Sequence, residues 1–183
     1  MMPNTPLITW LEHSYGALPR GLSFTGVALQ VLLLSLIPGF EGRYALIYGV
    51  AMGLPLSYAF IVASLGAAII ALALPLSFVL LDRVLESMGK MRHPLPRVIH
   101  HLYVRYVQGA RRRARRYVDR YGYLGLAIFV AMPLPATGIW TGAAAAYIMG
   151  MERRRTAAAL LAGGLLSNTV TATLLALGLT GLG

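Results

Sequence analysis

The polar residues of this chain come in a few blocks, separated by apolar stretches of roughly 20 residues, the length that crosses a bilayer. Leu22 to Ile37 is an apolar run that ends at Pro38-Gly39, a helix breaker. Tyr44 to Leu54 is a short apolar piece, and Met52-Gly53-Leu54-Pro55 punctuates it. Leu56 to Leu81 carries no charge and is long enough to span with tilt. Residues 82–120 are hydrophilic. Within them Lys90 to Pro96 reads as a loop and Arg97 to Arg120 as a helix. Its apolar stripe is Ile99, Leu102, Tyr103, Tyr106, Val107, Ala110, Ala114, Tyr117 and Val118. Arg105, Arg112, Arg115 and Arg116 lie off the stripe, the pattern of an interfacial helix facing anionic lipid. Leu124 to Met149 is apolar but broken by MPLPATG. Met151 to Arg155 predicts a basic turn, and Ala157 to Leu182 a last span. Residues 8–18 predict a short interfacial helix with Trp10 and Tyr15 at headgroup depth.

An internal repeat organises these pieces. A shift of about 97 positions aligns Pro38 with Pro135, Met52-Gly53 with Met149-Gly150, and Gly66 with Gly163. Each half is then an apolar limb, a proline break, a short limb, a Met-Gly turn and a long span. Proline-interrupted segments in matching places of two halves point to a transporter site. Charge placement decides the topology. A single crossing by 124–149 would put the basic block and Arg153-Arg154-Arg155 on opposite sides, against the positive-inside bias. A dip that turns at 133–138 and returns puts both on the cytoplasmic side. The predicted fold is therefore an all-α integral membrane protein with two inverted repeats, each a re-entrant helical hairpin plus a transmembrane helix. The basic amphipathic interfacial helix lies between them. The competing arrangement has Leu22–Ile37 spanning fully. The whole chain reads as a single membrane domain, with a first repeat over 21–81, a basic segment over 82–120 and a second repeat over 121–182.

Composition agrees. Of 183 residues, 57% are hydrophobic and 12% charged, against about 25% charged in soluble domains. The net charge of +10 comes almost wholly from arginine, with Lys90 the single lysine. The absence of cysteine excludes disulfides, thiol catalysis and thiolate metal sites. RRRARR at 111–116 resembles a nucleic-acid patch, but beside a membrane span it reads as an orientation and lipid-contact device. His93, His100 and His101 lack metal-ligand spacing, and no nucleophile, zinc or phosphate-loop motif is present, so no enzyme activity and no cofactor are expected.

The sharpest chemical signal is an ion pair. Between Leu22 and Leu81 the only charged residues are Glu41 and Arg43. A charge inside a membrane segment costs roughly 2.5–3.5 kcal/mol on insertion scales and is a functional-site hypothesis by default. The functional reading puts the pair at a re-entrant tip in a water-filled cavity after Pro38, with Arg43 holding a phosphate or carboxylate. Glu41 would pair with Arg43 and release Arg43 on protonation. The plain reading is a hydrated interfacial loop. The second break, Pro133 to Gly142, carries no charge. Pro133 and Pro135 free backbone carbonyls, Gly138 and Gly142 permit close approach, and Thr137, Trp140 and Thr141 offer donors; irregular backbone at this depth is tolerated where it lines a cavity or is buried in protein. The break reads equally as a hinge. Asn168, within a polar series from Ser167 to Thr173, lines the path or joins helices.

The stretch Arg120-Tyr121-Gly122-Tyr123-Leu124-Gly125-Leu126, followed from Phe129 by FVAMPLPATGIWTGAAAAYIMGMERRR, resembles the small multi-drug export protein family of bacterial and archaeal membrane proteins. SLIPGFEGR resembles that family's first motif, a proline followed by Glu-x-Arg, and Glu41 and Arg43 occupy its acidic and basic positions. The family looks like a distant branch of the DedA superfamily. That resemblance implies paired re-entrant hairpins, translocation of lipids such as polyprenyl phosphates, and proton coupling. The chain departs from the pattern at Tyr44-Ala45-Leu46, where an Ile-Pro step is common. It also departs in the second hairpin, which lacks the arginine of mainstream DedA proteins.

Together these readings predict a multi-pass cell-membrane transporter or flippase for a lipid or amphiphilic anion, coupled to protons or another ion. The alternatives are a small-molecule or drug/proton antiporter and a non-transporting membrane-organising scaffold. The expected partners are membrane lipids, a lipid-phosphate or amphiphilic substrate and the coupling ion, with no nucleic acid. A homo-oligomer stays open.

Overall fold

The computed structural model describes residues 23–89, 94–134 and 137–181. The described residues form helices α1 (Phe24–Leu36), α2 (Glu41–Ala51), α3 (Leu56–Gly89), α4 (Pro94–Ala131), α5 (Ile139–Ile148) and α6 (Arg153–Gly181), with no strand among them. The helix expected over residues 8–18 lies outside the described residues, as does Pro135.

Ser23 starts α1: its hydroxyl accepts from Gly26 N at 3.1 Å. Pro38-Gly39 ends it. Gly39 adopts φ +89, and Phe40 N and Glu41 N both bond to Ile37 O at 3.2 Å. The chain then folds back. Gln30 and Tyr48, on either side of the turn, are joined by a hydrogen bond in which Tyr48 Oη donates to Gln30 Oε1 at 2.5 Å. α1 and α2 thus form an antiparallel helical hairpin.

The second hairpin is built by α5 packing on the end of α4. A Cβ at Gly142 would lie 2.6 Å from Val130 and 3.6 Å from Leu126, so the two helices touch over that glycine. α4 is itself broken at Gly122, where φ 57 and ψ −128 leave the helical region. Residues 123–131 set off so tightly that a Cβ at Gly125 would strike the Tyr117 carbonyl. The two glycines of the Tyr-Gly-Tyr-Leu-Gly run are there for this bend.

Helix length separates two kinds of element. α1, α2 and α5, with 13, 11 and 10 residues, are about 20, 17 and 15 Å long. A bilayer core is about 30 Å thick. The apolar parts of α3 (Leu56–Phe78) and α6 (Arg153–Gly178), with 23 and 26 residues, reach about 35 and 39 Å and are long enough to cross. Large apolar side chains are prominent on their exposed faces, with Ile61, Leu65 and Leu72 on α3 and Leu166, Leu174 and Leu177 on α6 all more than half exposed.

The chain divides into two compact units, residues 1–66 with 168–183, and residues 67–167. The first has a core of Phe24, Val27, Val31, Ala45, Leu46, Leu54, Ala59 and Ala63. The second buries Leu126, Phe129, Val130, Ile139 and Leu160, with Val107, Ala110, Ala114 and Val118 forming the inner stripe of α4. Arg105, Arg112, Arg115 and Arg116 are exposed, as the stripe requires; Leu102 and Tyr106 are exposed as well.

The expected basic turn at 151–155 is instead the first turn of α6 from Arg153 onward. Thr156 N bonds to Glu152 O at 2.9 Å, and Glu152 pairs with Arg155 at 3.0 Å. Arginine is a good helix former, and nothing after Gly150 breaks the helix. α3 likewise runs to Gly89, beyond the expected end at Leu81, and contains Pro75.

The Met-Gly turns of the two halves have similar backbones. Met52 and Met149 have φ/ψ of −86/7 and −87/1, followed by Gly53 at φ 90 and Gly150 at φ 68. Met52 N→Tyr48 O, Gly53 N→Val50 O, Leu54 N→Gly49 O and Ala59 N→Pro55 O measure 2.9 to 3.0 Å. Met149 N→Ala145 O, Gly150 N→Tyr147 O, Met151 N→Ala146 O and Thr156 N→Glu152 O measure the same.

Candidate functional site

The first unit carries a polar interior where three helices meet. Glu41 opens α2 with φ 50, the only positive φ at a non-glycine among the described residues. Such a conformation costs roughly 1–3 kcal/mol for a residue with a side chain. It has a geometric consequence. Residues two apart on a helix point away from each other. The left-handed step at Glu41 redirects its side chain, and Arg43 Nη2 comes to 3.5 Å from Glu41 Oε2. Both residues are only 7% exposed, so the pair sits in the protein interior and not in a hydrated loop. The reversal's apolar tip is exposed instead, with Ile37 at 45% and Phe40 at 50%. Arg43 also lies 5.7 Å from the centre of the Tyr44 ring, within cation–π range.

Gly42, between the two charges, fixes what lies beside them. A Cβ there would be 2.7 Å from both amide atoms of Asn168 and 3.1 Å from Ala63 O. α2 therefore rests directly on α6 and α3. Asn168 is 2% exposed, and its Nδ2 donates to Ser64 Oγ at 3.2 Å. Ser35 is fully buried at the end of α1; its hydroxyl donates to Leu32 O at 2.6 Å and occupies the space over Gly66. Thr171 is buried one turn beyond Asn168. Polar groups on α1, α3 and α6 thus share this unit with the Arg43 guanidinium and its acidic counterpart Glu41. The pair can hold an anion or exchange a proton, provided the Glu41–Arg43 contact opens.

The second unit brings its break together differently. Thr137, 6% exposed, donates to Met132 O at 2.7 Å and Leu134 O at 2.8 Å, and so closes its own loop. Gly138 is extended, with φ −167, and its carbonyl accepts from Gly142 N at 2.7 Å. Thr141, 5% exposed, lies 3.4 Å from the Tyr106 hydroxyl of α4. Trp140 is half-buried and Pro133 exposed. Among the described residues no group of three or more His, Asp or Glu side chains offers a metal site.

Of the residues singled out in the sequence, Glu41, Arg43 and Asn168 converge in the first unit, with Pro38 exposed in the adjoining turn. Thr137, Gly138, Trp140 and Thr141 belong to the second reversal. Gly42, Ser64 and Ser35 were missed. Their signal was a polar or side-chain-free position inside an apolar run.

Short paired helices, two bilayer-length helices and a buried ion pair define a helical membrane protein with a polar interior. The chain matches the model of the family described as "Putative small multi-drug export protein" over residues 41–170, and it belongs to that family. No curated protein and no solved structure matches it.

Proposed function

We propose that this protein is a membrane transporter that moves an amphiphilic anion, a lipid phosphate among them, with Arg43 as the anion-binding group and Glu41 as the group that pairs with Arg43 and, on protonation, frees it to take the anion. The carrying observation is the buried Glu41–Arg43 pair on a strained backbone. Burying two charges costs several kcal/mol in desolvation, and hydrophobic replacement of such a pair is often neutral or stabilising. A positive φ at the same residue adds a second cost. Neither helps folding, which is the signature of a site kept for use. The family's description as export proteins supports transport.

The inverted-repeat, re-entrant architecture and the kinship with the DedA superfamily belong to the same reading. They are supported by the matching Met-Gly turns and by helices too short to cross. Gly66 packs on Ser35 and the Leu32 carbonyl, while Gly163 packs on Val130 and the Ala127 carbonyl. A Cβ at Gly164 would lie 3.6 Å from that of Ala67, its partner under the repeat shift.

The second reading is a drug/proton antiporter, favoured by the family description alone. Reconstitution into liposomes with labelled polyprenyl phosphate and a panel of cationic drugs, with and without a proton gradient, separates the two. The lipid-phosphate reading expects anion flux that Arg43→Ala abolishes and Glu41→Gln uncouples from the gradient. Drug flux with no lipid-phosphate flux selects the antiporter. Wild-type flux in both variants overturns the ion-pair mechanism.

A further inference from the structure

The second unit contains a cavity of about 180 Å³ at the start of α6, lined by Pro75, Ala143, Tyr147, Gly150, Met151, Arg153 and Thr156. At about 30 Å³ per water, it has room for about six waters or one small oxyanion. It opens to the surface, and its lining residues Gly150 and Arg153 are exposed. Thr156 is 2% exposed, and its hydroxyl has no hydrogen-bond partner among the described residues. A buried hydroxyl without a partner is a standing cost, and most such groups are satisfied. Arg153, an exposed residue, also lines the cavity and forms no ion pair among the described residues; neighbouring Glu152 is taken by Arg155 at 3.0 Å. The wall is also the N-terminus of a 29-residue helix, whose first N–H groups have no partner within the helix and carry partial positive charge.

The first unit shows that this hollow is not imposed by the backbone. The same turn geometry at 52–59 encloses packed side chains. Leu46 stands where the second half has Ala143, Ala59 where it has Thr156, and Leu56 where it has Arg153. Leu46 and Ala59 are fully buried in a continuous core, with Leu54 beside them and Val50, Leu56 and Ala172 packed against it. At these three positions an apolar, packed set in one half is replaced by Ala143, Arg153 and Thr156 in the other, and all three line the pocket. Pro75, within α3, removes a backbone donor on the same wall.

We propose that this cavity is a binding site for a tetrahedral oxyanion of the phosphate class, held by the Arg153 guanidinium, the Thr156 hydroxyl and the N-terminal amides of α6. It is distinct from the Glu41–Arg43 centre and does not depend on the transport reading. Two sources carry this chemistry, a phospholipid headgroup and a soluble phosphate.

The test uses the full-length protein purified in neutral detergent. Its thermal unfolding is followed during titration with inorganic phosphate, with short-chain phosphatidic acid and, as a control, with short-chain phosphatidylcholine. A saturable rise in Tm with either phosphate probe is expected, and the probe that acts at lower concentration names the source. Arg153→Gln and Thr156→Val should each weaken the response about tenfold, the worth of one hydrogen bond to a charged group. Arg154→Gln, which removes the same charge one residue away, should leave it intact. Without phosphate, Thr156→Val should unfold at the same or a higher temperature, because it removes an unsatisfied hydroxyl. An absent or non-saturating response overturns the proposal. So does an equal loss in Arg153→Gln and Arg154→Gln, which signals bulk charge. A wild-type phosphate response in Thr156→Val also overturns it. Since no flux is measured, failure here leaves the Glu41–Arg43 reading standing, and failure there leaves this one.

Discussion

The turn at Met52–Ala59 and the turn at Met149–Thr156 use similar backbones for two ends. Their cap dihedrals agree within a few degrees, and their four hydrogen bonds connect equivalent positions. Around the first, Leu46, Leu54 and Ala59 close an apolar core, and the charges sit elsewhere, at the start of α2. Around the second, Ala143, Arg153 and Thr156 leave a cavity, and the start of α5 carries no charge. Main-chain geometry is thus held in common while side-chain volume and polarity are exchanged. Turn conformation depends on Gly53 and Gly150 at positive φ, whereas filling depends on residues that the turn does not constrain.

The largest expected effect breaks this comparison directly. Leu46→Ala should destabilise by about 2–5 kcal/mol, the usual cost of emptying a packed site. Ala143→Leu, the reverse change at the equivalent place, should cost about 1 kcal/mol or less, because space is already there. Denaturant unfolding of both variants in detergent measures the contrast; equal losses would mean the two sites are packed alike.

Gly42→Ala comes next, at about 1–3 kcal/mol from overpacking against Asn168 and Ala63. The same unfolding assay reads it, and Asn168→Ala in the same chain should recover part of the loss by making room. A Gly42→Ala protein as stable as wild type would show that α2 does not rest on Asn168.

A smaller contrast concerns hydroxyls. Ser64→Ala removes the partner of the buried Asn168 amide and should cost about 1 kcal/mol. Thr156→Val, with no bond to lose among the described residues, should cost nothing in phosphate-free detergent. Thermal melts of the pair rank the two units by how fully their interiors are satisfied. The smallest effect is expected on the exposed face of α4. Asp119→Asn breaks an exposed pair with Arg115 at 3.0 Å and should shift stability by less than about 0.5 kcal/mol, falling further with salt.

Much of the helical layout was legible from the chain. Pro38-Gly39 and the 132–138 break mark the two reversals, and Gly53 and Gly150 mark the turns. Met52 and Met149, which a shift of about 97 positions aligns, have closely similar φ/ψ. Boundaries failed in three places: α3 runs on to Gly89, α4 takes in Pro94–Pro96 of the expected loop, and Arg153–Arg155 enters α6. The ion pair was visible because charges are rare there. Its burial was not, because burial depends on which helices cover it.

The sequence by itself determined where the chain turns and which segments are apolar, because both follow from local conformational limits and from side-chain transfer into lipid. Only the tertiary structure decided what each turn encloses. Gly42 matters through Asn168, some 126 positions on, and Thr156 matters through a pocket that it lines together with Pro75 and Ala143. Contacts between residues far apart in the chain set burial and satisfaction, and no local pattern encodes them.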